Sequence, residues 1–158
     1  MGKKKILIVC TGNTCRSPLA GAMIADYLRK STLKNSFAVS TGGISALNGT
    51  PATAQAIQVA RELGLNLEKH VARRIDGHTL NKSDLILCMT KAHKFHLLHN
   101  FENLFGKCFT LAECAPSQDI SGDISDPYGG DVGVYREMAM DIGKLLPNLL
   151  DFLENFFP

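Results

Sequence analysis

The chain has 158 residues, of which 45% are hydrophobic and 20% are charged, a composition typical of a globular protein with a substantial core. Its formal net charge of +2 gives no indication of nucleic-acid binding, and the apolar run after Lys3, Lys4 and Lys5 is too short for a signal peptide. Five cysteines without an export signal indicate a reducing compartment, so we expect a cytoplasmic protein rather than a disulfide-stabilised secreted one.

Apolar strand-forming runs and segments of helical periodicity alternate along the chain. The predicted strands cover residues 6–10, 37–40, 84–89 and 107–111. The predicted helices cover residues 19–30, 52–63, 91–99 and 132–157. Thr50 and Thr90 are the expected N-caps of the second and third helices, and Pro147 is expected to kink or restart the last one. Strands that alternate with helices predict an α/β fold whose parallel sheet is covered on both faces.

The most informative stretch follows the first strand and reads Cys10-Thr11-Gly12-Asn13-Thr14-Cys15-Arg16-Ser17-Pro18. Gly12 and Asn13 tolerate positive φ, which lets the backbone curl until several N–H groups point at one spot and bind an anion. Pro18 suits the first position of a helix, whose N-terminus then faces the same spot. Arg16 adds a guanidinium that can hold two oxygens of a phosphate. The stretch therefore predicts a phosphate cradle.

Cys10 is expected at the mouth of this cradle. A helix N-terminus and the Arg16 guanidinium favour the thiolate, the form in which a cysteine is nucleophilic, and Ser17 can donate its hydroxyl to the sulfur. Cys10 and Cys15 end one tight loop, so a reversible disulfide between them can shield Cys10 from further oxidation. From the residues alone, two other interpretations stay open: a buried strand-end cysteine beside an ordinary turn, and a phosphate-binding module without catalysis. A Walker A loop is excluded, because its Gly-Lys-Ser/Thr ending is absent.

The nine residues from Cys10 to Pro18 resemble the signature of the low-molecular-weight protein tyrosine phosphatase family, and the similarity extends along nearly the whole chain. The resemblance implies an α/β fold: a single three-layer αβα domain spanning residues 1–158, with a four-stranded parallel twisted sheet and helices on both faces. It also implies a protein phosphatase that hydrolyses phosphorylated protein side chains through a phosphocysteine intermediate. The implied catalytic residues are Cys10, Arg16 and Asp126. The implied substrate- and phosphate-binding residues are Thr11, Gly12, Asn13, Thr14, Cys15, Arg16, Ser17 and Tyr128.

A long loop rich in Asp, Ser, Gly and Pro is predicted over residues 115–133, and it contains the implied general acid. The residue before a proline is held extended, which sets the direction of the Asp126 carboxyl group, and Tyr128 can form an aromatic wall beside it. On spacing alone, three other aspartates of the loop are rivals: Asp119, Asp123 and Asp131. In the family an Asp-Pro pair in this late loop carries the general acid, and the match falls on Asp126-Pro127.

The resemblance also implies supporting residues. His70 is expected to help fix Asn13 through a hydrogen-bond network that includes a residue near Thr41, which is a structural role. No cofactor and no metal are expected, because the cradle itself supplies the positive field. The three histidines of the predicted 91–99 helix drift around its axis instead of facing one ion.

Thr14 and Gly129 bear on the substrate. Phosphotyrosine-specific members of the family usually carry a bulky aliphatic residue in place of Thr14, and a threonine there resembles the branch that hydrolyses phosphoarginine. Thr14 is smaller and offers a hydroxyl, and Asp126 can pair with a guanidinium. Gly129 occupies a place where many tyrosine-specific relatives have a second aromatic residue. We therefore expect phosphoarginine as the substrate, with phosphotyrosine as the alternative.

A thiol-linked arsenate reductase shares the loop and the fold, but it needs further cysteines in a mobile segment. Cys88 falls in a predicted strand and only Cys114 falls in a predicted loop, so this function is disfavoured. The expected partners are phosphorylated protein substrates, and we expect a monomer. Nucleic-acid partners are not expected, since the net charge is only +2. Membrane partners are not expected either, since Asp151 and Glu154 interrupt the apolar C-terminal segment.

Overall fold

Four parallel strands form one sheet in the computed structural model, which describes residues 2–120 and 122–158. The strands are β1 (Lys4–Cys10), β2 (Phe37–Gly43), β3 (Leu85–Cys88) and β4 (Cys108–Thr110), and their order across the sheet is β2-β1-β3-β4. Cys10 pairs with Gly43 and Val9 pairs with Cys88, so three strands end together. The chain continues from β2 on one side of β1 to β3 on the other, and α/β folds bind ligands beyond the strand ends at such a switch point.

Helices cover both faces of the sheet. The part of the chain that the structure describes has six: α1 (Arg16–Arg29), α2 (Ala54–Glu62), α3 (Gly77–Lys82), α4 (Lys91–Asn100), α5 (Leu111–Cys114) and α6 (Val132–Phe156). Successive β1 side chains point to opposite faces. Ile6 and Ile8 join the core formed with α1, α2, α5 and α6, whereas Leu7 and Val9 join the core formed with α3 and α4. The predicted α/β architecture is confirmed.

Two helix starts differ from the prediction. The helix α1 begins at Arg16, so Pro18 is its third residue and not its first. A proline is still tolerated there, since the N–H groups of the first turn have no partner within the helix. The N-cap of α2 is Thr53 instead of Thr50, whereas Thr90 caps α4 as predicted.

The short helices α3 and α5 are missed by the periodicity analysis, because six and four residues are too few to show a helical period. Their N-terminal signals are nevertheless present in the sequence. Asp76 accepts a hydrogen bond from the Thr79 N–H, and Thr110 forms a reciprocal capping box with Glu113. Cap residues are therefore the signal that reveals these helices.

The last helix, α6, is continuous over its 25 residues, so Pro147 does not restart it, and a kink at this position stays a prediction. A proline removes one backbone hydrogen bond from a helix, and burial on both sides of it offsets that loss. The buried leucines on either side of Pro147 are Leu145, Leu146, Leu149 and Leu153. Within the described ranges, no helix is both long and apolar enough to cross a lipid bilayer.

Candidate active site

The five residues 11–15, called here the phosphate loop, join the carboxyl end of β1 to the N-terminus of α1. They border a pocket of about 220 Å³. The pocket is lined by residues 10–16 together with Asp126 and Tyr128. The predicted nucleophile, the phosphate loop, the predicted arginine and the predicted acid thus share one cavity.

Asn13 gives the phosphate loop its curl. It adopts φ 57°, whereas Gly12, which was also expected to supply positive φ, stays outside the left-handed region. The Asn13 side chain is fully buried, and its Nδ2 donates to Ser17 Oγ at 2.8 Å and to Thr41 Oγ1 at 2.9 Å. Its Oδ1 accepts from the Arg73 N–H at 2.9 Å. The amide is therefore fully used, and it ties the loop to β2 and to the segment before α3.

His70 holds the same asparagine from the backbone side. Its Nε2 lies 2.8 Å from the carbonyl oxygen of Asn13. Because a carbonyl oxygen only accepts, Nε2 carries the hydrogen and donates it. The expected network of Asn13, Thr41 and His70 is thus present as direct hydrogen bonds.

The thiol of Cys10 lies at the end of β1 with two donors close to it. Its Sγ lies 2.8 Å from Ser17 Oγ and accepts from the Asn13 N–H at 3.3 Å. Ser17 Oγ already accepts from Asn13 Nδ2, so its own hydrogen is free to donate to the sulfur. Together with the positive end of α1, these donors stabilise negative charge on Sγ.

Arg16 is buried and connects the phosphate loop to the loop between α5 and α6, called here the acid loop. Its Nη1 donates to the Ile124 carbonyl at 3.2 Å, and its Nη2 lies 3.6 Å from Oδ2 of Asp126. The Ile124 N–H in turn donates to the carbonyl of Met89, just beyond β3. The acid loop is therefore anchored both to α1 and to the sheet.

Asp126 presents its carboxylate to the pocket and to solvent. The side chain is 55% exposed, and its Oδ1 accepts from the Tyr128 N–H at 3.1 Å. Tyr128, which is 74% exposed, also lines the pocket. A carboxyl group in this position can reach a bound molecule and can also exchange its proton with water.

The three other aspartates of the acid loop lie away from the pocket. Asp123 accepts from the Lys91 N–H at the start of α4, and Asp131 caps α6 by accepting from the Val134 N–H. Neither of them, nor Asp119, lines the pocket. Of the four candidates, the structure brings Asp126 alone to the phosphate loop.

A family model described as low molecular weight phosphotyrosine protein phosphatase matches residues 5–156. The chain belongs to this family. It is accordingly a cysteine-dependent phosphatase, as the sequence predicted. A protein-arginine-phosphatase of Geobacillus stearothermophilus is 32% identical to it over 150 residues, which cover 95% of this chain and 96% of that protein. A protein-arginine-phosphatase of Bacillus subtilis (strain 168) is 33% identical over 144 residues, which cover 91% of this chain and 93% of that protein.

One solved relative bears on the chemistry of the family. It is a cysteine-to-serine mutant of YwlE arginine phosphatase with a phosphorylated active site serine. This phosphatase matches it with a TM-score of 0.86 and 31% sequence identity, over 95% of each chain. A phosphorylated serine in place of the cysteine is consistent with a phosphocysteine intermediate.

In this phosphatase the Cys15 thiol contacts α6. Its Sγ lies 3.1 Å from the hydroxyl of Tyr135, which also accepts from Thr53 Oγ1 at 3.2 Å. Burial and the hydrogen bond to Cys15 raise the pKa of Tyr135 to about 12, so its hydroxyl stays protonated and available as a donor. Cys10 and Cys15 are both free thiols, and a disulfide between them stays a prediction.

The other cysteines of the phosphatase are buried. Cys88 Sγ lies 3.9 Å from Cys108 Sγ, between β3 and β4. Cys114 is the last residue of α5 and not part of a loop, which corrects the prediction, and burial raises the pKa of its thiol to about 12. Neither Cys88 nor Cys114 has the exposed, mobile position that an arsenate reductase needs for a disulfide relay, so the structure disfavours that function.

His93, near the start of α4, is a residue of this site that sequence analysis missed. It was considered only as a metal ligand, and the described residues include no group of three or more His, Cys, Asp or Glu that could hold a metal ion. Its Nε2 instead lies 2.8 Å from Thr11 Oγ1, and the residue is buried, with 6% of its surface exposed. The signal that could have found it is its place shortly after β3, since residues that follow the strand ends meet the ligand.

Proposed function

We propose that this phosphatase hydrolyses phosphoarginine in proteins, with Cys10 as the nucleophile and Asp126 as the proton donor. The observation that carries the proposal is the Asp126 carboxyl group, which lines the pocket, lies 3.6 Å from the Arg16 guanidinium and belongs to a side chain that is 55% exposed. A carboxyl group placed in this way can also accept a hydrogen bond from the guanidinium of a phosphoarginine side chain, whether it is ionised or protonated. The two protein-arginine-phosphatases among the relatives support the same substrate.

In the first half-reaction the phosphoryl group moves to the sulfur. Cys10 Sγ attacks phosphorus in line, the S–P bond forms, and the P–N bond to the substrate arginine breaks. Asp126 delivers its proton to the leaving nitrogen. The N–H groups of the phosphate loop and the Arg16 guanidinium hold the phosphoryl oxygens and stabilise the charge of the transition state.

In the second half-reaction water replaces the sulfur. Asp126, now ionised, takes a proton from the water as its oxygen attacks phosphorus. The S–P bond breaks, which yields inorganic phosphate and the Cys10 thiolate. The Ser17 hydroxyl, 2.8 Å from Sγ, stabilises the departing thiolate.

Thr14 gives a second line of support, because it lines the pocket. Its carbonyl accepts from the Thr53 N–H at 3.0 Å, which fixes its backbone, and its Oγ1 lies 3.6 Å from Cys15 Sγ. A threonine leaves more room than a longer aliphatic residue and offers an acceptor to the N–H donors of a guanidinium. A phenol ring, in contrast, packs better against an aliphatic wall.

Kinetics on two peptides that differ only at the phosphorylated residue, phosphoarginine in one and phosphotyrosine in the other, test the substrate. We expect kcat/KM to be higher for the phosphoarginine peptide, and an equal or reversed order would contradict the proposal. Cys10→Ser is the control for the nucleophile: it should lose turnover of both peptides and still bind inorganic phosphate. Undiminished hydrolysis by this variant would show that Cys10 is not the nucleophile.

Phosphotyrosine is the second candidate substrate, and Tyr128 is the observation that favours it. The residue is 74% exposed and lines the pocket, where its ring can stack on the ring of a phosphotyrosine. A higher kcat/KM for the phosphotyrosine peptide would decide for this candidate.

We further propose that the enzyme works as a monomer in the cytoplasm. The phosphate loop, Cys10, Arg16 and Asp126 meet within a single chain, so the proposed chemistry needs no residue from a second copy. Five free cysteines, one of them the proposed nucleophile, suit a reducing compartment. Light scattering during size-exclusion chromatography would measure the mass of the particle, and cell fractionation would locate it. A stable dimer, or recovery outside the cytoplasm, would contradict this part of the proposal.

A further inference from the structure

We propose that His93 is a positioning residue that makes the Thr11 hydroxyl a hydrogen-bond donor to the bound phosphoryl group. The inference rests on the proposed function, since it assumes that the phosphate loop binds a phosphoryl group. It adds to that function a residue from outside the loop. Thr11 lines the pocket, and His93 reaches it from the first turn of α4.

The direction of the hydrogen bond follows from the surroundings of the ring. Nε2 of His93 lies 2.8 Å from Thr11 Oγ1, whereas Nδ1 is buried and has no partner among the described residues. If Thr11 donated to Nε2, the ring hydrogen would be on Nδ1 and would be buried without an acceptor. If Nε2 donates, only a lone pair is left unpaired. An orphaned buried N–H is the rarer of the two arrangements, so Nε2 carries the hydrogen.

The charge of the ring agrees with this assignment. Burial lowers the pKa of His93 to about 4, and the Arg16 guanidinium and His96 contribute in the same direction. The carboxylates of Asp123 and Asp126, from the acid loop, act in the opposite direction without overcoming the burial. The ring is therefore neutral near pH 7 and has a single hydrogen to donate.

The hydrogen bond from His93 fixes how the Thr11 hydroxyl can use its own hydrogen. Once Oγ1 accepts from His93, its own hydrogen is free to donate elsewhere. The Thr11 backbone is held by its carbonyl, which accepts from the Ser45 N–H at 2.9 Å, and its side chain is exposed at the pocket. The hydroxyl can therefore point its hydrogen at a phosphoryl oxygen and add one side-chain donor to the N–H groups of the loop.

The test measures the inhibition constant of inorganic phosphate, with p-nitrophenyl phosphate as the substrate. His93→Leu and Thr11→Val should each weaken inhibition about tenfold, the size of one hydrogen bond to a charged group. The double variant should bind phosphate no more weakly than Thr11→Val, because Thr11→Val removes the donor hydroxyl and His93→Leu removes only the group that orients it. Losses that multiply in the double variant, or an unchanged constant in either single variant, would overturn the proposal.

Two amide substitutions of His93 distinguish a role in positioning the Thr11 hydroxyl from a role in packing. In His93→Gln the amide N–H can occupy the place of Nε2, whereas in His93→Asn it can only occupy the place of Nδ1, which has no partner. Phosphate should inhibit the Gln variant about fivefold more tightly than the Asn variant. Equal constants in the two variants would contradict the positioning role.

Variants of Thr11 test the proposal even if substitution of His93 prevents folding. Thr11 is exposed, so Thr11→Ser and Thr11→Val should both fold, and the Ser variant should bind phosphate more tightly. Equal affinities would overturn the proposal. A wild-type protein that neither hydrolyses p-nitrophenyl phosphate nor is inhibited by phosphate would instead overturn the proposed function itself.

Discussion

Replacing Asn13 with alanine should destabilise the fold as well as the site. The change removes three hydrogen bonds: two donated by Nδ2, to Ser17 and Thr41, and one that Oδ1 accepts from the Arg73 N–H. At about 1 kcal/mol each they contribute about 3 kcal/mol. Alanine at φ 57° adds about 1 kcal/mol of backbone strain. We therefore expect the free energy of unfolding to fall by about 4 kcal/mol.

Urea unfolding followed by circular dichroism measures this loss. The control is Asn13→Gly, which loses the same three hydrogen bonds but adopts positive φ without strain. The glycine variant should be about 1 kcal/mol more stable than the alanine variant. A loss below about 1 kcal/mol for the alanine variant would show that the buried amide does not hold the loop. Equal stability of the two variants would refute the strain argument.

Three further predictions concern Thr14, Asp126 and His93. Thr14→Ile should lower the ratio of kcat/KM for the phosphoarginine peptide to kcat/KM for the phosphotyrosine peptide. An unchanged ratio would show that Thr14 does not determine the substrate. Asp126→Asn should lower kcat about 100-fold or more on a peptide with a poor leaving group and far less on p-nitrophenyl phosphate, whose leaving group needs no proton. Equal losses on both substrates would exclude Asp126 as the general acid. The pKa of His93, lowered to about 4 in the folded state, means that the unfolded chain binds this proton more readily. The free energy of unfolding should therefore fall, by up to about 3 kcal/mol, as the pH drops from about 6.5 to 4. This fall should be smaller in His93→Gln, and urea unfolding at both pH values that shows the same dependence in the two proteins would contradict the prediction.

The phosphate loop is the part of the site that the sequence predicts best, because its contacts are local. Cys10, Asn13 and Ser17 lie within seven residues of one another, so the backbone of one strand, one loop and one helix start brings them together. Even here the choice between Gly12 and Asn13 for the positive φ needed the structure. Both residues tolerate that conformation, and only the partners of the buried Asn13 amide show which one uses it.

Errors in the predicted elements have physical causes too. The choice of N-cap for α2 fell on Thr50 because a Thr-Pro pair is a common helix start, whereas Thr53 is the cap and its hydroxyl also contacts Tyr135. Cys114 looked loop-placed because α5 is too short to show a period. In both places a local N-cap hydrogen bond, and not helical periodicity, marks the start of the helix.

The sequence by itself determined the order of the four strands and the four longer helices, the family and the phosphate loop, because those signals arise between neighbours along the chain. Among the distant side chains of the site, Asp126, Thr41 and His70 were implied by the family resemblance, whereas the contact of His93 with Thr11 was shown only by the tertiary structure. The partners of the loop from Thr41, His70 and His93 lie 28, 57 and 82 positions away from the residues they bind. Hydrogen bonds over such separations form only after the sheet has packed and the intervening chain has been closed into loops. No periodicity or spacing along the chain records which of several polar residues will then face the loop, and this is why His93 emerged only from the fold.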